Sequence, residues 1–175
     1  MWVARLLFAL RRRAGRRASA ARFERERRRI QSLIRQCDAE SGERRVLIQR
    51  VRGMEDSSRN WSFWMTLDHL RIVNGSIQRI IRALAGGVVP SGSASTAAVK
   101  PPPGAIMSVV PDYIRSCEDL AETVASIANL KTRLRYAHPW FGPLNAADWH
   151  AMAGGHMGIH RVQIERILEG LARAG

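Results

Sequence analysis

Lysine is nearly missing from this 175-residue chain: Lys100 and Lys131 are the only two among 28 basic residues, and the rest are arginine. Cysteine is equally scarce. Cys37 and Cys117 are too few and too far apart for a disulfide framework or a C-x-x-C metal site, and they read as ordinary reduced thiols. No stretch approaches the roughly 18–20 apolar residues that a membrane-spanning helix needs. The opening MWVARLLFAL is apolar but short, and its cations Arg11 to Arg13 follow the apolar run, whereas a secretory signal carries them first. There is no internal repeat and no alternating Val/Ile/Thr run long enough for a sheet. G-x-S-x-G, a phosphate-cradling glycine loop and H-E-x-x-H are all missing, which removes the signatures of serine hydrolases, P-loop nucleotide binders and zinc proteases.

What remains is globular: 46% hydrophobic and 25% charged residues, at a length suited to one domain. The net charge of +13 suggests a nucleic-acid binder until the chain is divided. Residues 1–53 hold sixteen arginines and five acids, net +11, while residues 54–175 are near balance at +2. The basicity belongs to one end. Residues 1–18 read as a basic extension and 19–175 as the domain. The acid-free opening fits either a transit peptide or a helix lying on an anionic membrane surface. A cytoplasmic location is the default expectation, with organelle targeting or peripheral membrane contact as alternatives. No nucleic-acid recognition motif is visible, and acids interleave the arginines at helical spacing, so no specific nucleic-acid partner is expected.

Four helical stretches are separated by breakers. The first runs from about Ser19 to Arg52, with Ser41-Gly42 placed to kink or split it. The second begins after Ser62, a side chain able to accept from the unpaired N–H groups of the first turn, and ends at Gly86-Gly87. Its stripe is Met65, His69, Ile72, Val73, Ile77, Ile80, Ile81 and Leu84. The third starts near Pro111 and carries Ile114, Cys117, Leu120, Val124, Ile127, Leu130 and Leu134. After a compact connection, His138 to Pro143, Asn145 caps the fourth, with Asp148 completing a capping box and Leu144 and Trp149 a hydrophobic staple. Residues 85–105 are a small-residue, proline-ended linker. Such length inside a compact domain counts against an element assignment, except where parallel neighbouring helices need a crossover. The expected fold is therefore all-α: a four-helix bundle, up-down-down-up, with a long crossover between helices 2 and 3.

Three of the five histidines fall on inner helix faces. His156 and His160 are four apart, so their side chains share one face, and His69 lies on the stripe of the second helix. Three imidazoles converging in a bundle core suit Zn²⁺, Ni²⁺ or Fe²⁺ and leave coordination positions open. The competing reading makes them hydrogen-bonded core residues. His150 falls off the stripe and is expected at the surface; His138, in a loop, is open to a structural or an entrance role. No carboxylate joins the trio on the inner stripes, and Asp68 points about 100° away from His69. Gly154, Gly155 and Gly158 crowd the fourth helix, either to let a backbone or substrate approach the metal or because the helix is locally loose.

The segment His156-Met-Gly-Ile-His160-Arg161-Val-Gln163 reads H-x-x-x-H-R-x-Q. Together with Trp61-Ser62 opening the helix of His69-Leu70, and His138-Pro-Trp-Phe-Gly-Pro-Leu before the last helix, it resembles the DinB/YfiT-like superfamily over about residues 19–172. The resemblance implies the same bundle, maps the metal ligands onto His69, His156 and His160, and implies a homodimer. It further implies a metal-dependent S-transferase or isomerase using a low-molecular-weight thiol on a small-molecule substrate, with hydrolase chemistry as the variant; many members have no assigned activity. Gln163, one turn past His160, is expected to orient it or to meet substrate. The alternative class is a nonenzymatic interaction protein that uses its arginine-rich end on a membrane or nucleic acid and keeps the histidines as structure.

Overall fold

The computed structural model describes residues 15–174. The expectations attached to Trp2 through Arg13, including membrane contact, lie outside them. Four α-helices make up most of the described residues: α1 (Gly15–Ile34), α2 (Phe63–Ala85), α3 (Val109–Ser126) and α4 (Ala146–Ala174). They form a four-helix bundle. α1 packs on α4, and α2 packs on both α3 and α4.

Direction follows from paired side chains. Asn74 of α2 donates to Ser116 and Cys117 of α3, Gln78 to Thr123 and the Asp119 carbonyl, and Arg82 to Thr123, so the two helices run the same way. Likewise Gly154 faces Phe23 and Gly158 faces Glu26, so α1 and α4 are parallel. The crossover between Ala85 and Val109 spans the bundle as its composition requires, and a single 3-10 turn, Ala97–Val99, lays it against α2.

The second and fourth helices begin as expected. The Ser62 side chain accepts from the Met65 N–H at 3.1 Å. Asn145 Oδ1 accepts from the Asp148 N–H at 2.9 Å, and Asp148 Oδ2 accepts in return from the Asn145 N–H at 3.3 Å. α1 begins four residues ahead of the expected Ser19, and Arg16 donates to the closing carbonyls of α3, those of Val124, Ala125 and Ile127.

Three expectations are corrected. The first helix stops at Ile34 instead of continuing to Arg52. Gly42 lies directly beneath the Trp64 indole, where any Cβ would collide, and Trp64 Nε1 donates to the Ala39 carbonyl, so the chain turns there. Beyond it Val46 and Ile48 pair their N–H groups with the carbonyls of Trp61 and Arg59 in an extended return, which leaves Leu47 exposed rather than on an inner stripe. The third helix likewise ends at Ser126; Leu130 is buried from a loop whose carbonyl accepts from Ala147. Finally, the compact connection contains a small antiparallel pair, β1 (Tyr136–His138) and β2 (Gly142–Leu144), turned through Gly142 at φ +72°. Three residues per strand are too few for alternation to register in the sequence.

Candidate metal centre

His69 reaches the bundle interior from the second turn of α2, and His156 and His160 from adjacent turns of the middle of α4. One ligand atom from each lies within 4.8 Å of the others, and the three ring centroids are 4.4–5.0 Å apart. Two rings are held by their outer nitrogens. His69 Nδ1 lies 2.7 Å from the Val99 carbonyl, on the crossover. His160 Nδ1 lies 2.6 Å from Gln163 Oε1. A carbonyl oxygen can only accept, so both Nδ1 atoms carry the proton once the amide is oriented as given, and both Nε2 atoms hold a free lone pair.

His156 is the least satisfied of the three. Its Nε2 is 3.1 Å from that of His69, and its buried Nδ1 has no partner. The inward Nε2 lone pairs of His69 and His160 thus face one imidazole between them, that of His156, which can offer a single N–H to the pair. A divalent cation accepts several inward lone pairs together. Nitrogen donors about 2.1 Å from a tetrahedral ion stand ~3.4 Å apart, near the His69–His156 separation, so the donor set fits such an ion.

Burial keeps all three rings neutral, the form that ligates. It pushes His160 down to about 3, with the His69 charge adding and the bond to Gln163 opposing. Burial also drives His156 well below the ordinary imidazole value, and His69 below it, the latter opposed by the Val99 bond and by the charges of Glu55 and Asp68. Trp61 closes one side: its ring stacks on His160 at 6.4 Å and tilts over His69 at 5.1 Å. The Ser62 cap and the Val46–Trp61 pairing place that indole.

The histidines stand at one end of a cavity of about 540 Å³. Val73, Ile77 and Ile80 of α2 face it, Trp149 and Met152 of α4 oppose them, and the crossover from Pro90 to Lys100 contributes a wall. The linker is thus part of the site as well as a spacer. Glu55, in the return between α1 and α2, is the one carboxylate among the described residues lining the cavity. Helix periodicity could not find it, because it stands outside the α-helices, at the start of the 3-10 turn Asp56–Ser58. Gln163 fixes that turn by donating through Nε2 to the Ser58 carbonyl at 2.8 Å.

The remaining candidates sort by geometry. His138 lines the cavity from β1 and accepts from the Trp140 N–H at 3.1 Å; burial lowers it to about 4. His150 is not at the surface as expected: it is 4% exposed and held down to about 4 by burial and by the Arg16 charge. α4 is covered by α1 as well as α2, so its buried face is wider than one stripe. Asp68 turns away from the trio and pairs with Arg71 at 2.6 Å. Arg161 also faces away, donating to the buried Glu26 of α1 at 2.7 Å. Gly154, Gly155 and Gly158 of α4 face α1 rather than the histidines: a Cβ on Gly154 would lie 3.1 Å from the Phe23 nitrogen, while Gly155 and Gly158 have ordinary clearance.

A four-helix bundle with parallel α2 and α3, carrying a histidine trio on α2 and α4, defines the class. Within it, the model of the DinB superfamily matches residues 22–164, and the chain belongs to that superfamily. Among solved structures it is similar to TT2238, described as a four-helix bundle protein: 22% identity, TM-score 0.58, covering 84% of this chain and 95% of that one, a likeness of fold. No curated protein matches the chain. Among the described residues no helix is long and apolar enough to cross a membrane.

Proposed function

We propose that this protein is a metal-dependent enzyme that holds one divalent ion, Zn²⁺, Ni²⁺ or Fe²⁺, on His69, His156 and His160 and acts on a small molecule admitted through the adjoining cavity. The observation that carries this reading is the convergence of three neutral imidazoles, two of them with Nδ1 committed to Val99 and Gln163, beside open space. A structural trio has no use for that space.

When bound, the ion supplies positive charge that lets a thiol or a water lose its proton near neutral pH. The chain's own residues do the rest. Val99 and Gln163 fix the ring planes of His69 and His160. Trp61 shields two of the rings from solvent. Glu55 is the carboxylate available to take the proton from the nucleophile. S-transfer or isomerisation with a low-molecular-weight thiol, and hydrolysis with water, both use this arrangement.

Metal analysis of the chain purified without chelator tests the proposal. Wild type is expected to retain close to one equivalent of a divalent transition metal, and His69→Ala, His156→Ala and His160→Ala to lose it while keeping their helical circular dichroism. A metal-free wild type that also fails to take up added zinc would overturn it.

A further inference from the structure

The cavity beside the histidines has a direction. α2 carries His69 at one end of the lining and Arg79 toward the other. Ten residues of helix separate them, ~15 Å along the axis. Between them the floor is apolar, Val73 and Ile77 with Ile80 just beyond, and Trp140, Trp149 and Met152 face it. Charge is distributed unevenly along this slot. At the histidine end the lining carries both signs: Glu55, whose charge acts on His69, and Lys100, the residue following the Val99 that holds His69. At the other end Arg79 donates to the Ser76 hydroxyl at 3.1 Å and, among the described residues, pairs with no carboxylate. Glu55, the one acid among the described lining residues, stands at the histidine end, so the charge at the Arg79 end is positive without an opposing one in the lining.

We infer that the cavity binds an amphipathic organic anion lengthwise, its acidic head at Arg79 and its far end beside the three histidines. This names the substrate class of the proposed site and rests on that reading for which end reacts. An apolar chain gains from every methylene it buries on the Val73–Ile77–Ile80 floor, and the anion gains a charge-assisted hydrogen bond from a planar donor suited to carboxylates. A wholly polar ligand leaves the floor and the indoles unused, and a cationic one meets Arg79 with like charge.

Trp61, Trp140 and Trp149 line the cavity, so the tryptophan emission of the full chain reports occupancy without turnover. The probes are decanoate, decanol and decylamine, titrated into zinc-loaded protein. Decanoate is expected to shift the emission saturably and to bind about tenfold more tightly than decylamine, as one charge-assisted bond provides. Arg79→Gln, a change at an exposed side chain, is expected to abolish that preference and leave decanol binding unaltered. Equal binding of decanoate and decylamine, no binding of either, or a preference that survives Arg79→Gln overturns the inference. The same titration on chelator-treated wild type and on His156→Ala separates the two proposals. An Arg79-dependent preference in those metal-free chains sustains this inference whatever the outcome for the metal, which is decided by zinc uptake of the wild type; bound metal without the preference removes this inference alone.

Discussion

The side chain of Gln163 meets two groups at once: its oxygen takes the Nδ1 proton of His160 and its nitrogen binds the Ser58 carbonyl on the turn bearing Glu55. Gln163→Leu removes both bonds within a site that is 0% exposed. Metal affinity is expected to fall by about 10–100-fold and stability by about 1–3 kcal/mol, read by chelator competition and urea unfolding. Gln163→Glu, which keeps an acceptor for His160, should restore much of the affinity. Affinity unchanged in the leucine variant would remove the orienting role. The other residue-scale consequence is acid sensitivity. His138 and His150 are lowered to about 4 by burial, with Arg16 adding at His150. In the unfolded chain they titrate near 6.5, so as pH falls the unfolded state takes up protons first. Stability is fully present above about 6.5 and drains away down to about 4. The melting midpoint of the chelator-treated chain should therefore be flat near neutrality and drop below about 6.5, with the metal-free His69, His156 and His160 adding to the fall, and His150→Gln should shallow the drop.

At the scale of the elements, α1 and α4 approach most closely where Gly154 leaves α4 without a side chain. A Cβ on Gly154 would press the Phe23 nitrogen at 3.1 Å and its Cα at 3.3 Å, both backbone atoms that cannot yield without moving a helix. Gly154→Ala should destabilise by about 1–3 kcal/mol through overpacking. Gly155 meets only the flexible end of Arg22 at 3.9 Å. Gly155→Ala should instead gain about 1 kcal/mol from helix propensity, with metal content unchanged. Denaturant midpoints of the pair decide it, and two changes of the same sign would contradict the contact. This resolves what the glycine-rich stretch of α4 left open: the close approach is helix on helix. The buried Arg161–Glu26 pair crosses the same seam, which accounts for the arginine of the H-x-x-x-H-R-x-Q segment without placing it at the histidines.

Over the whole molecule, the metal and the fold are expected to be coupled. The trio joins α2 to α4, and unfolding parts them, so an ion bound only by the native state adds about 2.7 kcal/mol when present at a hundred times its dissociation constant. Zinc should raise the thermal midpoint of wild type and chelator should lower it, while His69→Ala should show neither response; a zinc shift that persists in that variant would locate the ion elsewhere. Much of this organisation is local enough to be written in the chain. Helix spacing, the Ser62 and Asn145 caps, and a crossover too long for antiparallel neighbours lead to the bundle, because each depends on contacts within a few residues or on chain length. The inward faces of His69, His156 and His160 follow from the same 3.6-residue period. Where backbone leaves that period the signal vanishes: the return from Gln36 to Trp61, the end of α3 at Ser126 and the short β pair are settled by partners far along the chain, such as Trp64 over Gly42 and Arg16 on the α3 carbonyls. The burial of His150, the entry of Glu55 into the cavity and the crossover as its wall are likewise decided by packing between segments distant in sequence. Periodicity tells a residue which way to face along its own helix, and only the assembled bundle supplies what it faces.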